Sequence, residues 1–130
     1  MPYLPKPQSS YTPPPRRTTN NAERKRFYDS TAWRRVRSIQ ISTVPYCEAC
    51  YLQHTLTDCT QGAPIDHIVP INHGGDELDS NNLMTLCPAH HDRKSAMERH
   101  QGCLVAFTGE EGARIPAAGE KEKLLKKLIG

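Results

Sequence analysis

The chain has 130 residues, enough for one domain of ordinary size, yet only 36% of them are apolar and eleven are proline. Its longest plainly apolar run, residues 103–107, is far too short to span a bilayer, and no secretory leader is visible, so we expect an intracellular protein without a membrane segment. Residues 1–46 hold nine basic and two acidic side chains (+7), whereas residues 47–130 hold eight and twelve (−4). A basic front half favours a nucleic acid partner, although a solvated helix with a basic tail would look the same.

The front of the chain is predicted to be an arm followed by helices. Residues 1–21 form the arm, which we expect to be disordered because a run of three prolines favours extended geometry and the polar neighbours offer nothing to bury. A helical pattern then runs from residue 22 to about residue 41. Ser30 or Thr31 can cap a second helix that begins near Trp33.

The rest of the chain mixes short strand patterns with helical ones, which predicts an α+β fold. Glycine and proline separate the elements, and Pro88 stands where a helix prefers proline, at its first position. We predict a tight turn at 47–50, a loop at 51–63, strands at 64–69 and 83–86, a flexible turn at 73–76, helices at 88–100 and 120–129, and between these helices a short apolar patch followed by a loop.

Four residues form two pairs with metal-ligand spacing. Two residues separate Cys47 from Cys50, and two separate Cys87 from His90. This spacing lets a turn aim both donors at one ion, and thiolates with an imidazole suit zinc. Such a site supplies ~10–16 kcal/mol of apparent binding free energy, which a small domain with a limited core needs. We predict a structural zinc; ordinary buried or redox-active thiols, or Cys59 in place of His90, are the alternatives.

One ordered set of residues resembles a known family. The run Asp66-His67-Ile68-Val69-Pro70 is followed by His73-Gly74-Gly75 and then by Asn82-Leu83-x-x-Leu86-Cys87-x-x-His90-His91-x-x-Lys94. This combination resembles the HNH endonuclease motif, and residues 27–34 resemble the helix that precedes it in small phage HNH proteins, often encoded near DNA-packaging genes. Many relatives carry cysteine where this chain has His90; because histidine is also a zinc ligand, we expect the metal site to survive.

The residue types in this motif suit hydrolysis of a phosphodiester, which needs an activated water and a cation near the phosphate. On a strand, Asp66 and His67 point to opposite faces, so one can bind metal while the other has a separate task. Asp66 is an oxygen ligand suited to Mg²⁺ or Mn²⁺, and an ordinary pKa of about 6.5 suits His67 to accept a proton from water. His90 and His91 diverge by roughly 100° on a helix, which leaves His91 free to join Asp66.

The resemblance implies a small zinc-stapled ββα-metal domain, treble-clef-like, with flanking helices. It implies that His67 is the general base and that Asp66 and His91 bind a catalytic Mg²⁺, Mn²⁺ or Ni²⁺. Asn82 is implied as a catalytic-site residue whose amide braces the hairpin and thereby the base.

The implied substrate is double-stranded DNA, and the implied setting is phage genome processing with terminase subunits in the host cytoplasm. We expect a nuclease domain with its preceding helix at residues 22–102 and a C-terminal extension with an amphipathic helix at 103–130. Basic side chains before and within the motif are candidate phosphate contacts. They are Arg34, Arg35, Arg37, Arg93 and Lys94.

Each motif residue also has an ordinary interpretation. His67 can be a structural histidine, Asn82 a turn residue, Asp66 a turn cap and His91 an exposed side chain. A noncatalytic zinc-knuckle module that binds DNA is therefore an alternative function, and an adapter that docks a protein through its last helix is a third. Cleavage of DNA separates the first function from the second, and DNA binding at low salt separates the second from the third.

Overall fold

The structure is a computed structural model that describes residues 21–130, without the side chains of residues 21 and 23–25. The predicted arm, residues 1–21, therefore lies outside the described part of the chain except at Asn21, where the first helix begins. The described residues form an α+β fold of helices and two-stranded antiparallel sheets, as predicted.

Two helices form the beginning of the described chain. Helix α1 spans Asn21–Tyr28 and helix α2 spans Thr31–Thr43. Ser30 caps α2, because its hydroxyl accepts a hydrogen bond from the amide three residues further on at 3.1 Å. Farther along α2, the buried Gln40 donates a hydrogen bond to the Thr85 hydroxyl at 3.0 Å. This bond ties α2 to the hairpin described below, of which Thr85 is a member.

The residues around the first cysteine pair form a short helix. Helix α3 spans Glu48–Leu52. Cys47 caps its start, because the Cys47 sulfur accepts a hydrogen bond from the Cys50 amide at 3.4 Å. The prediction of a tight turn followed directly by a loop is therefore wrong for these residues. The Glu48 carboxylate stabilises the first turn and also accepts a hydrogen bond from the Thr85 amide at 2.8 Å.

A hairpin and a long helix form the centre of the fold. Strand β1 (Ile65–His67) pairs antiparallel with strand β2 (Leu83–Thr85), with Asp66 opposite Met84. The predicted strands are confirmed, although both are shorter than expected. Helix α4 follows at Pro88–Gln101, with proline in its first turn as predicted. The second metal-ligand pair therefore stands where β2 gives way to α4.

A second hairpin follows α4, formed by β3 (Phe107–Thr108) and β4 (Ile115–Pro116). Arg114, just before β4, binds the turn at residues 73–76, here called the glycine turn. Its amide donates a hydrogen bond to the Gly74 carbonyl and its guanidinium donates one to the His73 carbonyl, both at 3.1 Å. The prediction of a loop between the helices is wrong here, because two-residue strands carry no alternation that a sequence can reveal.

Helix α5 spans Glu120–Ile129, as predicted, and closes the main core by packing on α3 and α4. Its side chains Leu124, Leu125 and Leu128 are buried in that core. Helix α2 packs on the hairpin through a smaller apolar cluster around Trp33. No helix within residues 21–130 combines the length and the apolar character that crossing a membrane requires.

Candidate metal centres and active site

The two metal-ligand pairs meet between α3 and the start of α4. The donor atoms of Cys47, Cys50, Cys87 and His90 all lie within 4.8 Å of one another. His90 Nδ1 is 3.5 Å from the Cys47 sulfur and 3.5 Å from the Cys50 sulfur. It is 3.3 Å from the Cys87 sulfur, which lies 3.8 Å from the Cys50 sulfur. The four side chains can therefore hold one metal ion.

These distances fit a tetrahedral zinc site. Zinc lies about 2.3 Å from a thiolate and about 2.0 Å from an imidazole nitrogen, so its sulfur ligands are about 3.8 Å apart and sulfur and nitrogen about 3.5 Å apart. The side chains of this chain already have that spacing. Cys59 and Cys103 are not members of the group, so the geometry selects His90 rather than Cys59 as the fourth donor.

The electrostatics of the thiols also fit a cation. Burial raises the pKa of Cys47 to about 12. Burial opposes ionisation of Cys87 as well, but hydrogen bonds from the His90 amide, the neighbouring thiols and the Ala89 amide leave the pKa of Cys87 below its usual value. Thiolates this close together repel one another, and a divalent cation at their centre offsets that repulsion.

A second pair of potential ligands joins β1 to α4. Asp66 Oδ1 is 3.6 Å from His91 Nε2, and the side chains are 13% and 33% exposed. Two donors about 2.1 Å from one ion are about 3.0 Å apart when at right angles and about 4.2 Å apart when opposite, so the observed distance lies in the range one ion spans. His90 turns to the thiols and His91 to Asp66, the divergence that their adjacency on a helix predicts.

His67 is covered by aromatic side chains. Its ring stacks on Trp33 with centroids 5.2 Å apart, lies 6.1 Å from Phe27 and is 7% exposed. Its Nε2 is 2.9 Å from the Glu77 carbonyl oxygen, which fixes the ring orientation. Burial lowers the pKa of His67 and so favours the neutral ring. In this conformation, therefore, the ring that is predicted to accept a proton from water is almost entirely covered.

Asn82 is buried immediately before β2 and holds the loop between β1 and β2 in place. Its Oδ1 accepts a hydrogen bond from the Val69 amide at 2.7 Å. Its Nδ2 donates to the carbonyls of Val69 at 3.0 Å and Asp76 at 2.9 Å. Because Asp76 adjoins Glu77, these bonds also hold the segment whose carbonyl orients His67. The bracing contacts expected of this amide are present.

Lys94 lies inside the protein, so the prediction that it contacts DNA is wrong. Its ammonium is 1% exposed and donates to the His67 carbonyl at 3.0 Å. It also lies 2.6 Å from Asp66 Oδ2 and 2.5 Å from Glu98 Oε2. Glu98 is not among the predicted site residues, although a glutamate four residues after a lysine on a predicted helix is a recognisable ion-pair signal.

The arginines predicted to contact DNA differ in exposure. Arg34 and Arg35 on α2 and Arg93 on α4 are exposed. Arg37 is half-buried, and its guanidinium donates to the Ala63 carbonyl at 2.9 Å. Three of the four arginines therefore present their charge to solvent, whereas Arg37 also has a structural contact.

The central hairpin is followed by a helix, a Cys₃His group lies at their junction, and a carboxylate–imidazole pair lies beside it. These features define a small metal-binding domain of the ββα type. The HNH endonuclease family model matches residues 47–97. Among solved structures, the chain is similar to the HNH endonuclease of the deep-sea thermophilic bacteriophage GVE2, solved with a manganese ion, at 30% identity and a TM-score of 0.54, over 62% of this chain and 87% of that one. No curated protein matches the chain. The chain belongs to the HNH endonuclease family and is a nuclease.

Proposed function

We propose that this nuclease hydrolyses phosphodiester bonds of double-stranded DNA with a divalent ion held by Asp66 and His91. The observation that carries the proposal is the 3.6 Å separation of Asp66 Oδ1 and His91 Nε2 on neighbouring elements of the ββα unit. A carboxylate with an imidazole suits Mg²⁺, Mn²⁺ or Ni²⁺. The manganese ion in the GVE2 enzyme supports this choice of ion.

The side chains divide the work of hydrolysis between them. When bound, the ion would offset negative charge on the scissile phosphate and on the leaving 3′-oxygen. Asp66 and His91 hold it, and the one-third exposure of His91 leaves room for the phosphate. His67 accepts the proton of the attacking water through Nδ1, because Nε2 is engaged with the Glu77 carbonyl. Asn82 keeps the segment that carries this carbonyl in place.

His67 needs contact with water before it can act as a base. Trp33 is part of the apolar cluster under α2, whereas Phe27 is half-buried at the end of α1 and packs against that cluster from outside. Of the two side chains that cover His67, Phe27 is therefore the one that can move away without exposing the core. We propose that DNA binding displaces it and so exposes the His67 ring, still held by the Glu77 carbonyl, to water.

The structural part of the proposal concerns the thiol cluster. Cys47, Cys50, Cys87 and His90 hold a structural zinc that joins α3 to α4 and so keeps His91 opposite Asp66. Residues 22–102 are proposed as the nuclease domain and residues 103–130 as an extension. The hydrogen bonds of Arg114 to the glycine turn support a bracing role for this extension.

The exposed arginines on α2 and α4 are proposed to contact DNA phosphates. Within the described part of the chain, the side chains of Arg34, Arg35 and Arg93 have no hydrogen bond to a backbone carbonyl of the kind that holds Arg37. Each phosphate contact that is lost lowers the salt dependence of binding by about one unit of slope. The three alanine variants should therefore weaken binding to any DNA sequence and flatten its salt dependence.

The proposal is tested by incubating the zinc-loaded protein with supercoiled plasmid and Mg²⁺, Mn²⁺ or Ni²⁺. We expect nicked or linear products, and a loss of about 10²–10⁴-fold in rate for His67→Ala with DNA binding retained. His100→Ala, which removes an exposed histidine of α4, is the control and should cleave normally. DNA binding without cleavage in all three metals would instead support the noncatalytic zinc module. Full activity of His67→Ala would reject its role as base.

The biological part of the proposal is a role in phage genome processing and packaging with terminase, in the host cytoplasm. The bacteriophage origin of the similar GVE2 enzyme supports it, and free thiols for zinc suit a reducing compartment. The test is co-purification of this chain with terminase subunits and a change in terminase cleavage when it is added. Absence of both would reject the packaging role and leave the nuclease proposal intact.

A further inference from the structure

One buried lysine connects both functional residues of β1 to helix α4. Lysine is almost never fully buried unless it is paired, because removing an ammonium from water is costly. Lys94 is 1% exposed and has three oxygen partners: Asp66 Oδ2, the His67 carbonyl and Glu98 Oε2. Such an arrangement is expensive to build for stability alone, since apolar side chains of similar volume in place of all three charged groups would often serve equally well.

The partners of Lys94 show what the arrangement achieves. The ammonium lies 2.6 Å from one oxygen of Asp66, while the other oxygen faces His91 Nε2 at 3.6 Å. The carboxylate is therefore held at one end and free to bind a metal at the other. The 3.0 Å bond to the His67 carbonyl fixes the next residue of the strand to the same helix.

Glu98 completes the arrangement one helical turn further along α4. Its carboxylate, 2.5 Å from the ammonium, balances a charge that would otherwise repel a cation bound nearby. Lysine, aspartate and glutamate together keep a net negative charge beside the proposed ion.

We propose that Lys94 is a positioning residue that makes Asp66 a one-oxygen metal ligand and sets β1 against α4. This inference rests on the proposed function, because it assumes that Asp66 binds the catalytic ion. Groups that contact and orient a metal ligand commonly change metal affinity or activity by about 10–100-fold when they are removed. Lys94 is thus expected to act through Asp66 and without touching DNA.

The test compares Lys94→Met with Lys123→Met in the full, zinc-loaded chain. Lys123 is an exposed lysine of α5, 72% exposed in its pair with Glu120, so it controls for the change in net charge. We measure the Mn²⁺ dissociation constant by electron paramagnetic resonance of free Mn²⁺, and kcat and KM on plasmid. For Lys94→Met we expect Mn²⁺ affinity and kcat to fall at least about tenfold while KM for DNA stays nearly constant; Lys123→Met should match the unsubstituted protein.

Other results would overturn the inference. Unchanged or tighter Mn²⁺ binding by Lys94→Met would show that the ammonium does not position the ligand. A raised KM with unchanged kcat would make Lys94 a DNA contact after all. A chain that neither binds Mn²⁺ nor cleaves DNA before any substitution would reject the proposed function itself, which is a distinguishable outcome.

A second variant separates positioning from stability. Lys94→Met leaves the half-buried Glu98 carboxylate without its cation, so the single variant can unfold. The double variant with Glu98→Gln removes that charge and should recover the melting temperature without recovering Mn²⁺ affinity or kcat; recovery of all three would overturn the inference. If neither variant folds, the test uses the unsubstituted protein. Added Mn²⁺ should broaden the NMR signal of the Lys94 ammonium before that of any other lysine. A Lys94 signal that stays sharp would overturn the inference.

Discussion

Replacing Asn82 by alanine should destabilise the domain strongly, because its amide satisfies three buried backbone groups. The substitution leaves the Val69 amide, the Val69 carbonyl and the Asp76 carbonyl without the partners they now have at 2.7, 3.0 and 2.9 Å. A buried backbone group that loses its partner costs about 1–3 kcal/mol, so three such groups cost about 3 kcal/mol or more. That is a large part of the stability of a small domain, which is about 5–15 kcal/mol.

Asn82→Asp separates the donor from the acceptor function of this amide. The aspartate can still accept from the Val69 amide, but its second oxygen would face two carbonyl oxygens. The repulsion raises the pKa of the new carboxyl group in the folded state, so its cost is full at high pH and shrinks as the group becomes protonated. We expect Asn82→Asp to be less stable than Asn82→Ala at pH 8, with a smaller difference at pH 5.

Urea denaturation at excess zinc, followed by circular dichroism, measures these free energies of unfolding. Asn81→Ala, which truncates the exposed neighbour, is the matched control and should change stability little. A loss of less than about 1 kcal/mol in Asn82→Ala would contradict the bracing role of the amide, since three unpaired buried groups cannot cost so little. An identical pH response of the aspartate and alanine variants would contradict it as well.

Three further predictions concern the zinc site, the glycine turn and the aromatic cover. Cys87→Ser, or removal of zinc by a chelator, should unfold the domain because ~10–16 kcal/mol of binding free energy is lost; native circular dichroism and melting temperature in the variant would contradict a structural zinc. Gly75→Ala should lower the melting temperature far more than Gly62→Ala, because its Cβ would lie 1.8 Å from the Val69 carbonyl oxygen, whereas at Gly62 nothing lies within 4 Å and only the strain of a φ of +81° is added; equal effects would show that the turn can shift. Phe27→Ala should speed modification of His67 by diethyl pyrocarbonate, and an unchanged rate would mean that another side chain covers the ring.

Helices and the central hairpin could be predicted because their signals are local. Ser30, Pro88 and the leucine spacing of α5 mark helix starts and a buried face within a few residues of sequence. Helix α3 and the second hairpin could not be predicted in this way. Glu48 is held by the Thr85 amide, and Arg114 by the Gly74 carbonyl, so both elements depend on partners far away in the chain.

The ligand sets were predictable for a different reason. His90 and His91 are neighbours on one helix, so their side chains diverge by roughly 100°, and the spacing from Cys87 assigns His90 to the zinc site. Side-chain environment was not predictable, because it depends on packing between elements: Trp33 covers His67, and Lys94 turns inward to Asp66 instead of outward to solvent. Burial thus changes the expected role of a basic residue without changing its place in the motif.

The most direct test of the account is anomalous diffraction from crystals of the zinc-loaded protein soaked in Mn²⁺. We expect a manganese peak within about 2.2 Å of both Asp66 Oδ1 and His91 Nε2, and a separate zinc peak among the three thiols and His90. Manganese bound elsewhere, with no peak between Asp66 and His91, would contradict the claim on which the proposed chemistry depends.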